Sequence, residues 1–503
     1  MRTRLWPPAA VIAACTILYV LAFDSLQIGQ HVDDGIYVSV GRSLAEGLGY
    51  VRYEDPRLPF EQQYPPGLPA LVALVLRLGG DLETLRIIPL AFSLLSLLLA
   101  DAYFRTRLPC AGADPNGHWR WLLLALFGLN HLIVGYAGML MTEAPFVSAT
   151  LAALLLLTPA ADGGASVWSR ARIVAIALAL TAACLFRTTG LAIVLGATLW
   201  LLMRRQVATG LTVAGLTGLL LSPWLILQRQ MTGRWFGAGY AADIAGGGDS
   251  LAPQLLRPLE NLLAYATTLL PEAVLPCFGQ QVNAALAKLS VVPLSAIAGL
   301  IVTCAVIAGG LICARRRSLP DGWVFGAVML LLLSWPFRYT RFILPVLPIV
   351  LVYLFAAAVT VAPRRRYLLV AVAGILLAGF LVRDLSLITN PPQSRYPELR
   401  ATGEFIRTHT EPDALLIAPN PSGIALYAMR MTIDPAQTKL GPPASAAASI
   451  NERLAAGSVY LLEREDGPSR EQLPADGVRV FRVEPVAADA PDWPGLYRLR
   501  PAE

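Results

Sequence analysis

From residue 8 to about residue 388 the chain returns repeatedly to apolar runs of near-membrane length, and the breaks between them carry clusters of arginine. A helix needs about twenty predominantly apolar residues to cross bilayer hydrocarbon, and lipid tolerates only elements that satisfy their own backbone hydrogen bonds. The runs here lack the strict alternation of a lipid-facing strand, so they predict helices. With 55% hydrophobic and 15% charged residues and a mean hydropathy of +0.57, so long a chain has too little polar surface for a soluble globule. The expected class is an all-α polytopic membrane bundle.

Lys and Arg are retained on the cytoplasmic side of short loops, so their positions orient the spans. The clusters are Arg2/Arg4, Arg105/Arg107, Arg170/Arg172, Arg204/Arg205, Arg315-Arg316-Arg317 and Arg364-Arg365-Arg366. All can face the cytoplasm if the segment Pro65 to Gly80 does not cross. That segment opens with Tyr64-Pro65-Pro66, contains Pro69 and Arg77, and offers only about fifteen apolar-rich residues. It is expected to be a juxtamembrane or re-entrant helix on the outer face. Spans then fall at roughly 8–23, 84–104, 119–140, 144–160, 171–186, 189–203, 207–228, 291–313, 321–336, 340–361 and 367–386, about eleven transmembrane helices. The amino terminus is expected in the cytoplasm of a bacterial inner-membrane protein, with outer loops 24–83 and 229–290.

Residues 1–388 are read as one transmembrane domain and 389–503 as a small extracytoplasmic α/β domain, because charge and proline rise and no span-length run remains in the tail. Within it, Glu398 to His409 predicts a helix, and Ala414 to Ala418, Ser458 to Leu462, Val478 to Val483 and Leu496 to Leu499 predict strands. Gly441 to Ala448 reads as loop, and Gly246-Gly247-Gly248 as linker lacking a phosphate-loop context. The six cysteines are scattered without metal-ligand spacing and read as buried small hydrophobes. The apolar stretch Pro8 to Phe23 follows Arg2 and Arg4 like a secretory signal but lacks a small-x-small cleavage site, so it reads as a retained span. The net charge of +6 comes largely from the short arginine clusters and reports topology, not nucleic-acid binding.

Asp33 and Asp34, about ten residues past the first span, offer two carboxylates at the water-facing mouth of the bundle, where acid/base chemistry on a lipid-delivered substrate is feasible. One of them serves equally as an N-cap for the helical run Gly35 to Gly47. Tyr37 and Arg42 follow on that run, Arg42 able to hold a carboxylate or phosphate bidentately. Glu143 lies near an outer span end, where it could also cap a helix beside Thr142 and Pro145. Arg86, Arg187, Arg338 and Arg341 stand on the outer side, where positive charge is disfavoured. Planar cations beside an apolar groove suit a polyprenyl phosphate, although interfacial snorkelling explains single arginines as well. His31 could join the acids on a divalent metal, but a lone histidine more often bonds locally, and no cofactor is expected. His131 and Asn130 read as interhelical polar contacts, while Asp243, Asp249, Glu260 and Glu272 lie in the second outer loop without a distinguishing signal.

The acidic pair followed by Tyr37, the run Tyr64-Pro65-Pro66-Gly67-Leu68-Pro69, Arg86 opening the next span, and Met141-Thr142-Glu143-Ala144-Pro145 together resemble the GT-C superfamily of integral-membrane glycosyltransferases. Within it they resemble the branch holding protein O-mannosyltransferases and lipid A aminoarabinose transferases. The resemblance covers roughly residues 8–230 by motif and the rest by layout. It implies that Asp33 is the general base or acceptor-positioning acid, that Glu143 is the acid at the outer end of the third span, and that Arg86 lies near the donor phosphate. The family usually has Glu at position 34 and His or Lys at position 64; this chain has Asp34 and Tyr64.

The expected activity is transfer of a sugar from a polyprenyl-phosphate-linked donor to a lipid, cell-envelope glycan or protein acceptor at the outer face, with inversion at the anomeric carbon implied by the resemblance. Asp33, Asp34 and Glu143 are the expected catalytic acids, and Tyr37, Arg42, Tyr64, Arg86, Arg187, Arg338 and Arg341 the expected substrate-binding residues. A carrier or flippase for lipid-linked sugars is the alternative, and a polysaccharide polymerase or ligase shares the enzyme class but builds its site from a late outer loop.

Overall fold

The structure, a computed structural model, describes residues 6–22, 27–114, 117–158, 168–235, 252–276, 292–390, 398–418, 420–433, 453, 458–462, 481–486 and 496–501. The expectations for Gly246-Gly247-Gly248, Asp243, Asp249, Gly441 to Ala448 and 478–480 lie outside these residues. The chain divides into two compact units, Met1–Phe23 with Ile87–Pro391, and Asp24–Arg86 with Pro392–Glu503.

The first unit is helical throughout its described length, and a helix stands at every segment expected to cross. Among the described residues five helices are long and apolar enough to span a membrane: Thr84–Arg107, Val207–Thr232, Ser295–Arg316, Thr340–Val361 and Arg366–Thr389. The remaining expected spans are shorter apolar helices such as Glu143–Leu157, Gly190–Met203 and Asp321–Ser334. The chain is a multi-pass membrane protein. The segment expected as one span at 119–140 is instead two helices, His118–Gly128 and His131–Gly138, bent by 53°. Asn130 causes the break: its side chain accepts from the Leu132 N–H at 3.0 Å as a fresh N-cap and donates to the Ala273 carbonyl at 2.7 Å. Part of the expected outer loop 229–290 is helical too, over Ala252–Ala264, a π turn Tyr265–Leu269, and Leu270–Val274.

Helix contacts in this unit include close approaches at small residues and a fully buried ion pair. A Cβ at Gly309 would collide with the Tyr353 carbonyl, so the helices carrying them meet backbone to backbone. Arg107, only 1% exposed, pairs with Asp321 at 2.9 Å and donates to the carbonyl of Leu154, while the Tyr103 hydroxyl also bonds Asp321. An arginine that served as a topology marker in the sequence is thus also an internal tie.

The second unit joins a segment between two spans to the carboxyl-terminal region. The sequence expectation kept 24–83 with the transmembrane domain, whereas its contacts place Asp24–Arg86 with Pro392–Glu503. Hydrophobic runs alone could not reveal this, because the joining contacts are polar. Asn420 Nδ2 donates to the Gly29 carbonyl at 2.7 Å, Ser422 Oγ to Glu54 at 2.5 Å, and the Thr432 N–H to the Glu54 carbonyl at 2.8 Å. Helix Asp33–Glu46 packs on helix Gly67–Arg77, where Gly41 leaves no room for a Cβ beside Val72. Eleven residues rise only about 16 Å, too little to cross hydrocarbon. Arg77 at its end donates to the carbonyls of Leu44 at 2.8 Å and Ala45 at 3.2 Å, in the last turn of helix Asp33–Glu46.

The sheet of this unit runs in the order β2-β1-β3-β5-β4, with β1 Leu415–Ile417, β2 Met431–Ile433, β3 Val459–Leu462, β4 Phe481–Pro485 and β5 Leu496–Pro501. β1 pairs in parallel with β2 and β3, and β5 pairs antiparallel with β3 and β4. Helices Leu399–His409 and Pro421–Ala428 bury Leu399, Ile406 and Ile424 against Leu416, Tyr460 and Leu462. The helix Pro421–Ala428 and strand β2 were absent from the sequence expectation.

Candidate active site

In the second unit the two adjacent acids have separate tasks. Asp34 is 1% exposed and accepts from the Gly29 N–H at 2.7 Å and from the Gly35 N–H at 2.8 Å. It is committed to holding the loop before its helix, a local role that the sequence left open as capping. Asp33 begins the helix and accepts a hydrogen bond from the Tyr64 hydroxyl at 2.5 Å. Between His31 and Asp33 the backbone makes a three-residue turn, with the Asp33 N–H donating to the His31 carbonyl at 2.7 Å and Val32 at φ 64, ψ −57. That conformation is strained for a β-branched residue, by about 1–3 kcal/mol. Gly29, at φ +100, lets the loop lie against Gly423, where a Cβ would clash.

Tyr64 is anchored on every side. Its carbonyl accepts from the Tyr50 hydroxyl at 2.9 Å, its N–H donates to Glu61 at 3.3 Å, and its ring meets Tyr37 edge-on with centroids 5.0 Å apart. Glu61 in turn takes Arg52 at 2.6 Å. Burial and the nearby Glu61 carboxylate hold the Tyr50 hydroxyl well above its usual pKa, so it remains a donor. Tyr37 is therefore a buried support for Tyr64, and Tyr50, Arg52 and Glu61 are functional supports that the sequence reading did not single out. Their signal was the density of paired charges and aromatics between Tyr50 and Tyr64.

Arg86 is buried and pairs with Glu83 at 3.1 Å, and Glu83 also takes Arg400 at 3.3 Å. The Tyr427 hydroxyl is pushed up to about 12 by burial and by the Glu83 carboxylate, against the pull of Arg400 and Arg86. Arg42 pairs with Glu46 at 3.3 Å and lies over the Tyr53 ring at 5.1 Å, on a different feature from Asp33. Among the described residues no group of three His, Cys, Asp or Glu side chains is suited to a metal ion, and His31 gains no such set.

In the first unit Glu143, 2% exposed, opens helix Glu143–Leu157. Arg187 donates to its Oε1 at 2.7 Å and to Thr142 Oγ1 at 2.9 Å, and Arg341 lies 3.7 Å from the same oxygen. Arg187 sits where helix Arg170–Phe186 gives way to extended backbone, and Arg341 in the 3-10 turn Thr340–Val346, so both guanidiniums leave the helices that carry them. Both lie near the Phe342 ring, and the surrounding cavity of about 10 Å³ is lined by Phe146, Val328, Leu332 and Leu344. Two cations around one carboxylate leave the cluster net positive in an apolar setting, which favours an anion. Arg338 does not join this cluster. It pairs with Glu260 and donates to Asn261 Oδ1 at 2.6 Å, while Asn261 caps the carbonyls of Leu332, Leu333 and Trp335. Glu272 accepts from Thr340 at 2.6 Å, which gives both described acids of the second loop a partner.

No family model and no curated protein matches this sequence. Solved structures do. ArnT from Cupriavidus metallidurans, in a crystal structure bound to undecaprenyl phosphate, aligns with a TM-score of 0.57 at 14% identity over 98% of this chain and 97% of its own; its apo state gives 0.60 at the same identity and coverage. The archaeal oligosaccharyltransferase AglB from Archaeoglobus fulgidus, in complex with an inhibitory peptide and a dolichol-phosphate, aligns at 0.52 and 12% identity over 92% of this chain and 70% of its own. The likeness suggested by the acid, proline and arginine motifs holds at the level of architecture: this chain shares the fold of these two solved structures.

Proposed function

We propose that the protein transfers a sugar from a polyprenyl-phosphate-linked donor to an acceptor hydroxyl on a lipid, cell-envelope glycan or protein, at the outer face of a bacterial inner membrane. The observation that carries this reading is the Tyr64–Asp33 hydrogen bond, which orients one acid of the pair while its neighbour is spent on the backbone. Support comes from the fold, whose solved examples include ArnT bound to undecaprenyl phosphate and AglB with a dolichol-phosphate. The arginine clusters on alternate breaks between about eleven spans support a cytoplasmic amino terminus and an extracytoplasmic second unit.

In this mechanism Asp33 accepts the proton of the acceptor hydroxyl as that oxygen bonds to the anomeric carbon. The bond from the anomeric carbon to the phosphate oxygen breaks, and the lipid phosphate leaves with the electron pair. Arg86, in the same unit as Asp33, neutralises that phosphate. A single displacement inverts the anomeric carbon.

A second reading, a carrier or flippase for lipid-linked sugars, draws on one observation. Asp384, 1% exposed in helix Arg366–Thr389, has no hydrogen-bond partner on either carboxylate oxygen among the described residues. Intramembrane acids of this kind mark transport paths in other proteins. Asp33→Asn separates the two: it abolishes sugar transfer in membranes while leaving insertion intact if the enzyme reading holds, whereas a carrier would depend on Asp384 and tolerate the change at Asp33.

A further inference from the structure

We propose that the second unit carries a subsite for one uncharged sugar residue, separate from Asp33 and Tyr64 and independent of whether Asp33 acts as a base. The site is a cavity of about 190 Å³, walled by helix Asp33–Glu46, the strand-like stretch after Val51 and helix Pro421–Ala428. Its volume suits a single pyranose ring and is small for a drug-sized ligand, which needs roughly 300 Å³ or more. Glu54 forms the floor. Its carboxylate is buried, accepts from the hydroxyls of Ser39 and Ser422, and lies 3.9 Å from Arg52. Ser39 is itself fixed, because its oxygen accepts from the Tyr53 N–H at 2.8 Å. The acceptor atoms at the floor are thus held in place before any ligand arrives, and each carboxylate oxygen keeps a lone pair for a further O–H donor.

The charges around the cavity select the class of occupant. Arg430 lines one wall, but its guanidinium is spent on Thr410 Oγ1 and on the carbonyls of Arg407, Met429 and Thr410. Arg42 at the mouth is paired with Glu46 and lies over the Tyr53 ring, and the Tyr53 hydroxyl bonds Glu46. The charge of Arg42 is therefore neutralised and the N–H donors of Arg430 are turned to protein acceptors, and an anion entering would meet the Glu54 carboxylate. A polyhydroxyl ring fits instead: hydroxyls donate to Glu54 on one side, and an apolar face lies on Met429 and Leu426 on the other. Met429 is 58% exposed and held at φ 52, a conformation uncommon for a non-glycine residue, which presents its thioether at the rim.

The test uses the full-length protein in lipid nanodiscs and saturation-transfer NMR with the methyl glycosides of glucose, mannose, galactose and N-acetylglucosamine, alongside sodium glucuronate and sodium phosphate. At least one neutral glycoside is expected to receive saturation, to lose it roughly tenfold in Ala425→Trp, which fills the cavity from a half-buried helix position, and to keep it in Asp33→Asn. Ser422→Ala, which removes one fixing hydroxyl, gives an intermediate loss, with thermal unfolding of each variant checked against wild type. Saturation of no neutral glycoside, undiminished transfer in Ala425→Trp, or transfer confined to glucuronate or phosphate overturns the proposal.

Discussion

Replacing Tyr64 by Phe removes one hydroxyl and little else, which makes it the sharpest probe of the proposed base. The ring keeps its edge contact with Tyr37, and the main-chain bonds to Tyr50 and Glu61 do not involve the hydroxyl. What is lost is the 2.5 Å donation to Asp33. A hydrogen bond to a charged group contributes about 1.5–3 kcal/mol, and one pKa unit is about 1.4 kcal/mol. Because that bond favours the ionised carboxylate, its loss makes Asp33 harder to ionise. The acid limb of the pH–rate profile then moves to higher pH. The carboxylate also loses one of the bonds that align it, and kcat above the limb falls by roughly tenfold to a hundredfold. Consumption of a radiolabelled polyprenyl-phosphate sugar in membranes containing the variant, followed across pH, measures both effects. An unmoved acid limb with unchanged kcat would refute the assignment of Asp33 as the base oriented by Tyr64. A collapse of activity with a lowered thermal midpoint would show instead that the hydroxyl serves the fold.

The other acid behaves differently: Asp34→Ala leaves the N–H groups of Gly29 and Gly35 without their acceptor and lowers stability by about 1–3 kcal/mol, read as a lower thermal midpoint. Arg107→Met strands a buried Asp321 and costs about 3–5 kcal/mol, while the double change Arg107→Met with Asp321→Leu recovers much of that in the same thermal assay. Glu411 provides a pH test. Its carboxyl is held below the usual range, first by the Tyr460 hydroxyl and then with help from Arg498, so the stability it contributes is full above the ordinary glutamate pKa and lost as pH falls through the depressed value. The wild-type thermal midpoint therefore drops more on acidification than that of Tyr460→Phe.

Where burial was written in composition, the sequence was readable. Apolar runs set the helices of the first unit because lipid leaves the backbone no alternative, and the prolines around the short apolar run 65–80 bound a helix of eleven residues, Gly67–Arg77. Strands β1, β3 and β5 fell where short apolar runs announced them. The bend at Asn130 was missed because a side chain that caps a helix inside an apolar run leaves the average hydropathy unchanged. Helix Pro421–Ala428 was missed because its signals, Asn420 as N-cap with Pro421 following, occupy only a few residues among loops. The ion pair of Arg338 with Glu260 could not be read from the sequence, because its two members lie far apart along the chain.

The pair at positions 33 and 34 shows why adjacency in sequence says little about shared chemistry. Successive residues of a helix differ in direction by about 100°, so two neighbouring carboxylates cannot both face one substrate. One turns inward and is paid for by backbone N–H groups, which is Asp34. The other faces a tyrosine whose ring, N–H and carbonyl are each held by a different neighbour. A chain with Glu at position 34 would extend one methylene further into the space between Gly29 and Gly35, where Asp34 already reaches both N–H groups at 2.7 and 2.8 Å. Asp rather than Glu at this position thus matches how tightly this loop closes.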